Sequence, residues 1–181
     1  MEKDNLDSQK RVRWILEAGA VRRCHTLPHQ GVYDVSQHSW NALALLYVLH
    51  PDPSRELIWA LAFHDVGERF FGDQPAQVGW ADKSLRSLQK QAERKALACL
   101  DVNPKLTALE AEWLDNLDRL ELMLWCDQQI AFGNQHVSKC RKGLYDWFAG
   151  NLNLVPEVAI FLQKYQGWQR GDEAFSQKDD S

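Results

Sequence analysis

Hydrophobic residues recur at helical spacing along most of the chain. In residues 106–132 the positions Trp113, Leu117, Leu120 and Leu124 follow one another every three or four residues, which places them on one face of a helix. Six further stretches with this periodicity predict helices over residues 5–18, 36–49, 54–65, 83–101, 137–149 and 156–166. No segment alternates clearly between apolar and polar residues, as an amphipathic strand would. The pattern therefore predicts an all-α fold of six or seven helices.

Capping and turn residues separate the predicted helices. Gly19 closes the first helix, and Ser36 and Ser54 are predicted N-caps of the second and third. No repeat or linker divides the chain, so we expect residues 1–170 to form a single domain. The polar and charged residues 171–181 are expected to form a disordered tail.

Composition narrows the class of protein. The chain has 181 residues, 45% of them hydrophobic, and a net charge of −4, which fits a globular domain without the basic field that attracts nucleic acid. Its four cysteines are widely spaced and form no CxxC pair, which argues against a thiolate zinc site. No apolar run approaches the length of a membrane span and no signal peptide is recognised. We therefore expect no membrane partner and a cytoplasmic location.

The segment from Phe63 to Asp73 carries the most promising chemistry. His64 and Asp65 follow the apolar run Leu57–Ala62, which indicates a buried helix. Unpaired polar or charged groups in a core cost free energy, and a bound metal ion is one partner that would offset this cost. Glu68 and Asp73 add two carboxylates within nine residues of His64.

Two distant residues complete a candidate metal site. His38 shares a helix face with the apolar Ala42, and Asp118 lies on the long helix between leucines four residues before and after it. Both side chains are therefore expected to point inward. Such a mixed set of nitrogen and oxygen donors suits Mn, Co, Zn, Fe, Ni or Mg and does not define which. The predicted ligands are His38, His64, Asp65 and Asp118.

The order of these residues resembles the HD-domain phosphohydrolase superfamily, and the resemblance spans roughly residues 10–130. The sequence around His38 resembles a VxxHS motif. The segments His64–Glu68 and Gly72–Pro75 resemble the HDxxE and GDxP motifs of small YfbR-like 5′-deoxynucleotidases and of DatZ-like phage dNTP triphosphohydrolases. Further similarity lies in the segment Ala20–Thr26, which contains Arg23, and in the DxxE-like run Asp118–Glu121.

The resemblance implies a role for each residue. The four predicted ligands would bind one divalent metal ion. Of Glu68 and Asp73, one would orient or deprotonate the attacking water, and the other would protonate the leaving oxygen or hold the sugar 3′-hydroxyl. Arg23 would pair with a substrate phosphate. Three further residues are candidates for the substrate pocket: Cys24, Trp80 and Lys83.

These roles imply a metal-dependent phosphohydrolase for a small-molecule deoxynucleotide, in which release of triphosphate from a dNTP such as dATP is favoured. Gly79 and Asp115 stand where relatives often carry lysine. This departure keeps two alternatives open: removal of the 5′-phosphate from a dNMP, and nucleotide binding without catalysis. The resemblance also implies a homo-oligomer, a dimer or hexamer, in the cytoplasm of a cell or of a phage host.

Overall fold

The computed structural model describes residues 7–74 and 83–165, which contain seven α-helices and one short 3₁₀ helix joined by turns and loops. The all-α prediction is confirmed, and within these ranges extended pairing is limited to one isolated bridge between Arg22 and Asp34. The elements are α1 Ser8–Gly19, α2 Val35–Leu49, α3 Arg55–Phe63, the 3₁₀ helix Val66–Phe70, α4 Lys83–Cys99, α5 Ala108–Ala131, α6 Ser138–Gly150 and α7 Pro156–Lys164.

The long helix α5 lies at the centre of the main core. Its first turn is fixed by a capping box, in which Thr107 and Glu110 exchange side-chain and backbone hydrogen bonds. The periodic apolar residues predicted for this helix, Trp113, Leu117 and Leu120, are buried. They join a cluster with α2, α3, α6 and α7 that includes Ala42, Leu46, Leu57, Leu61, Phe148 and Val158. This packing holds α5 against α2, which carries His38, and against α3, which ends one residue before His64.

A second cluster joins α1, α4 and the 3₁₀ helix, through Ala18, Val66, Ala96, Leu100 and Val102. Gly67 lies so close to α4 that an added Cβ would approach the Glu93 Cα to 2.8 Å. Arg69 fastens the same turn to α1, since its Nε and Nη2 atoms each lie 2.6 Å from Glu17 Oε2. The short helix that carries Glu68 is therefore fixed from both sides.

Two predicted helix boundaries need correction. The N-cap of α2 is Asp34, whose side chain accepts a hydrogen bond from the Gln37 N–H, and Ser36 lies inside the helix. The third helix ends at Phe63 and not at Asp65, because the chain tightens into the 3₁₀ helix that begins three residues later, at Val66. Ser54 caps α3 as predicted.

The division into a domain over residues 1–170 and a tail stays a prediction, because residues 166–181 lie outside the described part. Trp80 lies outside it as well. Among the described helices, none combines the length and apolar character needed to cross a membrane.

Candidate metal centre

Two histidines and an aspartate converge where α2 meets the end of α3. The Nε2 atoms of His38 and His64 are 3.1 Å apart. The Oδ2 atom of Asp65 lies 3.6 Å from the first of these nitrogens and 3.4 Å from the second. Since one donor atom from each residue lies within 4.8 Å of the others, His38, His64 and Asp65 are positioned to bind a metal ion.

Asp118 approaches the same point from α5. Its Oδ1 atom lies 3.2 Å from His38 Nε2 and 3.6 Å from His64 Nε2. Neighbouring ligands of one ion are about 3.0–3.5 Å apart when metal–ligand bonds measure about 2.0–2.2 Å. The distance to His38 lies within this range and the distance to His64 just above it. The Asp118 side chain is 35% exposed, so it forms the open edge of the group and not its buried floor.

The ring orientations of both histidines fit metal binding. His38 Nδ1 lies 2.5 Å from Glu121 Oε2, and His64 Nδ1 lies 2.9 Å from the Leu61 carbonyl oxygen. Carboxylate and carbonyl oxygens accept hydrogen bonds, so each Nδ1 carries the hydrogen and donates. In neutral rings the two Nε2 lone pairs then face each other, an arrangement that a cation between them stabilises. The donor set therefore fits a divalent ion, whose identity it leaves open.

The carboxylates of Asp65 and Asp118 stabilise positive charge on the neighbouring histidines. Burial lowers the pKa of His64, but the charge of Asp65 and a hydrogen bond to Asp118 outweigh it and raise this pKa to about 9. Partial removal of water by the surrounding side chains raises the pKa of Asp118, but hydrogen bonds from His38 and His64 hold it well below its ordinary value. Protons and metal ions would therefore compete for this site.

Arg23 and Glu68 form one wall of the centre. Arg23 is buried, its Nη1 donates to Asp65 Oδ2, and its Nη2 lies 3.9 Å from Asp118 Oδ1. Glu68, on the 3₁₀ helix, is 6% exposed, and its Oε1 lies 3.7 Å from Arg23 Nη1. The Glu68 Oε2 atom has no hydrogen-bond partner among the described residues. Burial and the nearby charge of Asp65 raise the pKa of Glu68 to about 9.

Asp73 lies at the outer edge of this wall. Its Oδ2 accepts a hydrogen bond of 2.7 Å from the Cys24 backbone N–H and lies 3.7 Å from His25 Nδ1. Gly72 precedes it with φ +74°, a conformation that favours glycine. Burial raises the pKa of the Cys24 thiol to about 12, which argues against a thiolate nucleophile.

The predicted residues are therefore brought together in part. His38, His64, Asp65, Asp118, Arg23 and Glu68 meet in one place, and Cys24 and Asp73 lie beside it. Lys83 begins α4, but its side chain is outside the described part. The family resemblance includes Glu121 but implies no role for it, and it does not include Tyr33 or Asn41. Glu121 and Asn41 each lie three residues after a predicted ligand.

These three residues form a buried hydrogen-bond network behind His38. Glu121 is 2% exposed; besides the His38 ring, it accepts hydrogen bonds from Tyr33 Oη at 2.5 Å and from Asn41 Nδ2 at 3.0 Å. The spacing of Asp118 and Glu121, one helical turn apart on a helix with apolar neighbours, is the sequence signal that could have assigned Glu121 to the site.

The helical bundle, with its histidines and aspartates converging from two helices and the turn after a third, has the fold of the HD-domain phosphohydrolases. Two solved structures show the similarity. An HD-domain phosphohydrolase from Listeria innocua matches with a TM-score of 0.66 and 17% identity, over 86% of this chain and 86% of that one. The cyanophage S-2L HD phosphohydrolase DatZ, bound to dA and one catalytic Zn²⁺ ion, matches with a TM-score of 0.61 and 18% identity, over 87% of this chain and 92% of that one.

No protein-family model and no curated protein matches the sequence. The similarity to the two solved structures is therefore one of fold.

Proposed function

We propose that the protein is a metal-dependent phosphohydrolase that releases triphosphate from a deoxynucleoside triphosphate. The observation that carries this proposal is the position of Glu68, a buried carboxylate with an unpartnered oxygen, beside the three residues positioned to bind a metal. Structural metal sites are closed and need no such group, whereas hydrolytic sites combine an accessible metal with a residue that handles protons.

The metal would be held by His38, His64, Asp65 and Asp118. A divalent ion in a site of this kind supplies a Lewis acid that polarises a phosphoryl oxygen and acidifies water. Asp118, at the exposed edge, leaves the group accessible from solvent on one side. The two imidazoles, held by hydrogen bonds at Nδ1, keep their Nε2 atoms directed to one point.

Glu68 and Arg23 would act on the reacting groups. A bound divalent ion would lower the pKa of Glu68 from its metal-free value of about 9. The unpartnered Oε2 of the ionised carboxylate would then orient the attacking water and accept its proton. The Arg23 guanidinium carries a positive charge beside Asp65, and its Nε has no hydrogen-bond partner in the described part of the chain. Arg23 would use this donor to hold a phosphoryl oxygen and to offset the charge that develops there.

Asp73 would act on the nucleoside side of the substrate. The Cys24 N–H fixes Oδ2 of its carboxylate, so the group has a defined direction. It either protonates the leaving oxygen or accepts a hydrogen bond from the sugar 3′-hydroxyl. Trp80 and Lys83 stay predicted pocket residues.

Deoxynucleotides are the proposed substrates for two reasons. The motifs around His64 and Asp73 resemble those of deoxynucleotide hydrolases, and the DatZ structure, which has the same fold, contains dA and a catalytic Zn²⁺. Because free deoxynucleotides are found in the cytoplasm, the proposal places the protein there, in the host if a phage encodes it.

One observation favours a second candidate, the removal of phosphate from a dNMP. Within the described ranges, Arg23 is the only lysine or arginine at ion-pair distance from Asp65, Glu68 or Asp118. A monophosphate needs fewer cations than a triphosphate. Nucleotide binding without hydrolysis is the remaining alternative.

Product analysis tests these functions. Each dNMP and dNTP is incubated with the protein and Mn²⁺, Co²⁺ or Zn²⁺, and the products are separated by ion-exchange chromatography. Triphosphate and a deoxynucleoside are the expected products. Phosphate released from a dNMP would support the second candidate, and tight binding without turnover under every metal would contradict the enzymatic proposal.

The outer face of α2 is proposed to pair with a second copy of the chain. Trp40, Tyr47 and Val48 are 72%, 85% and 74% exposed on this helix. Since Val35–Leu49 contains no lysine, arginine, aspartate or glutamate, two copies would bring apolar surface together without like-charge repulsion.

Tyr47→Glu is expected to yield monomers in sedimentation velocity, whereas Leu152→Glu, at a 98% exposed site, leaves the oligomer intact. A wild-type monomer at micromolar concentration would contradict this pairing.

A further inference from the structure

Glu121 lies behind His38, on the side of the ring that faces away from the metal-binding atoms. We infer that Glu121 is a positioning residue, which fixes the His38 ring for metal binding and is itself fixed by Tyr33 and Asn41. This inference rests on the metal centre of the proposed function. It assigns to three residues outside the ligand set a role in metal affinity.

The hydrogen bonds leave the Glu121 carboxylate in one orientation. Oε2 accepts from both His38 Nδ1 and Tyr33 Oη at 2.5 Å, and Oε1 accepts from Asn41 Nδ2 at 3.0 Å. The Tyr33 ring stacks on Trp125 with centroids 4.4 Å apart, which fixes the direction of its hydroxyl. Rotation of the carboxylate would break bonds at both oxygens. Glu121 Oε2 is therefore a fixed acceptor for His38 Nδ1, at 2.5 Å compared with 3.4 Å to Tyr33 Oη.

The network also links two helices through matched spacings. Asn41 lies three residues after His38 on α2, and Glu121 lies three residues after Asp118 on α5. Residues three apart share a helix face. Each helix therefore contributes one proposed ligand and one residue that stabilises the ligand pair from behind.

The negative charge of Glu121 explains why this network would affect metal affinity. In the described part of the chain, the ion-pair contacts of Glu121 involve His38 alone. A buried carboxylate without a neighbouring cation is costly. A divalent ion at His38 Nε2 places positive charge across the ring from Glu121, so the carboxylate and the ion stabilise each other through the imidazole.

The two histidines differ in this respect. His64 Nδ1 donates to a neutral backbone carbonyl, which a side-chain substitution leaves in place. His38 Nδ1 donates to a charged side chain that can be replaced. His38 is therefore the ring at which the contribution of an outer hydrogen bond to metal affinity can be measured.

The test measures Co²⁺ binding to metal-free protein, without any turnover. Affinity is obtained by competition with a chromogenic chelator, and the geometry of the site by the visible absorption of bound Co²⁺. Glu121→Gln keeps the shape of the side chain and removes its charge. We expect about 10–100-fold weaker Co²⁺ binding and a changed absorption spectrum.

Asp127→Asn is the matched control. Asp127 is a buried carboxylate on the same helix, and its Oδ1 accepts a 2.8 Å hydrogen bond from Arg141 away from the metal centre. This variant should lose stability yet bind Co²⁺ with wild-type affinity. An equal loss of affinity in both variants would show a general effect of destabilisation and overturn the inference.

Tyr33→Phe provides a second variant that removes a single hydroxyl from the network. We expect about threefold to tenfold weaker Co²⁺ binding from this change. If Glu121→Gln fails to fold by circular dichroism, Tyr33→Phe decides the question. Wild-type affinity and spectrum in the folded variants would overturn the inference.

The assay also separates this inference from the proposed function. Wild-type protein that binds no Co²⁺ would overturn the metal centre and this inference with it. Wild-type protein that binds Co²⁺ but hydrolyses no deoxynucleotide would contradict the enzymatic proposal alone, and a weakened Glu121→Gln would still support the positioning role.

Discussion

Two buried glutamates flank the metal centre, and their surroundings are opposite. Glu121 lies on the 24-residue helix α5 and accepts three hydrogen bonds through both oxygens. Glu68 lies on a five-residue 3₁₀ helix, and its Oε2 has no partner among the described residues. Burial is similar, at 2% and 6% exposure, so hydrogen bonding and not burial separates the two.

The difference indicates separate roles for two walls of the metal centre: the Glu68 wall, formed with Arg23, and the Glu121 wall, formed with Tyr33 and Asn41. A fully bonded carboxylate is held in place and can hold a metal ligand in turn. A buried carboxylate with an unused oxygen costs stability, and groups of this kind concentrate where chemistry takes place. We therefore infer that the Glu121 wall maintains the metal site, and we propose that the Glu68 wall acts on substrate.

The largest expected effect comes from the ligands that both walls face. His64→Ala or Asp65→Ala removes a donor atom at the centre of the group. We expect loss of bound metal and a fall in phosphohydrolase activity of about a thousandfold or more. Metal content by mass spectrometry and triphosphate release by chromatography check this result. Full activity in either variant would refute the metal assignment.

Glu68→Gln directly tests the proposal that the Glu68 wall acts on substrate. We expect Co²⁺ affinity close to the wild-type value and a fall in kcat of about 10²–10⁴-fold, the range for loss of a residue that transfers protons. Glu121→Gln should behave in the opposite way, with weak metal binding and activity that recovers at saturating metal. Should Glu68→Gln lose its metal instead, the proposed division between the walls fails.

The pH dependence of stability offers a separate measure of Glu68. Its pKa is about 9 in the folded metal-free protein and about 4.5 when unfolded. Between these values the folded state binds more protons than the unfolded state, so the free energy of unfolding contributed by Glu68 falls as pH rises from about 5 to 9. Glu68→Gln removes this term.

Thermal unfolding of metal-free protein measures that contribution. The melting temperature of Glu68→Gln should exceed the wild-type value by roughly 3–6 °C at pH 8, which corresponds to about 1–2 kcal/mol. The difference should shrink toward pH 5, where Glu68 is protonated in the folded state. A variant less stable than wild type at pH 8 would show that the carboxylate has partners that stabilise its charge.

The two walls also differ in how far the sequence could predict them. The family resemblance implies roles for Arg23 and Glu68 in one wall, but for none of Tyr33, Asn41 and Glu121 in the other. The periodic apolar residues of α5 and the order of His38, His64, Asp65 and Asp118 predict the helices and the residues that meet. The 3₁₀ helix was missed because periodicity alone predicts continuation past Phe63, whereas the structure turns early and packs Gly67 against α4. Tyr33 was missed because it lies in an irregular segment, where spacing carries no information about contacts.

A smaller effect on activity is expected at Asp73, at the outer edge of the Glu68 wall. Asp73→Asn keeps the shape of the side chain and one oxygen that can accept from the Cys24 N–H. We expect kcat/KM to fall about 10–100-fold. A fall in kcat would favour proton transfer to the leaving oxygen, and a rise in KM would favour contact with the sugar. Asp146→Asn, at an exposed carboxylate that pairs with Lys142, serves as the control and should leave both constants unchanged.

The smallest effect is expected from Cys24→Ala. Cys24 supports Asp73 through its backbone N–H, which alanine retains, and burial keeps its thiol protonated with a pKa of about 12. Activity should therefore stay within about twofold of wild type, and Cys24→Gly should also be tolerated because φ +51° suits glycine. Steady-state kinetics of both variants check this. A loss of more than tenfold in Cys24→Ala would mean that the thiol itself contacts substrate, in addition to the hydrogen bond by which the Cys24 backbone fixes Asp73.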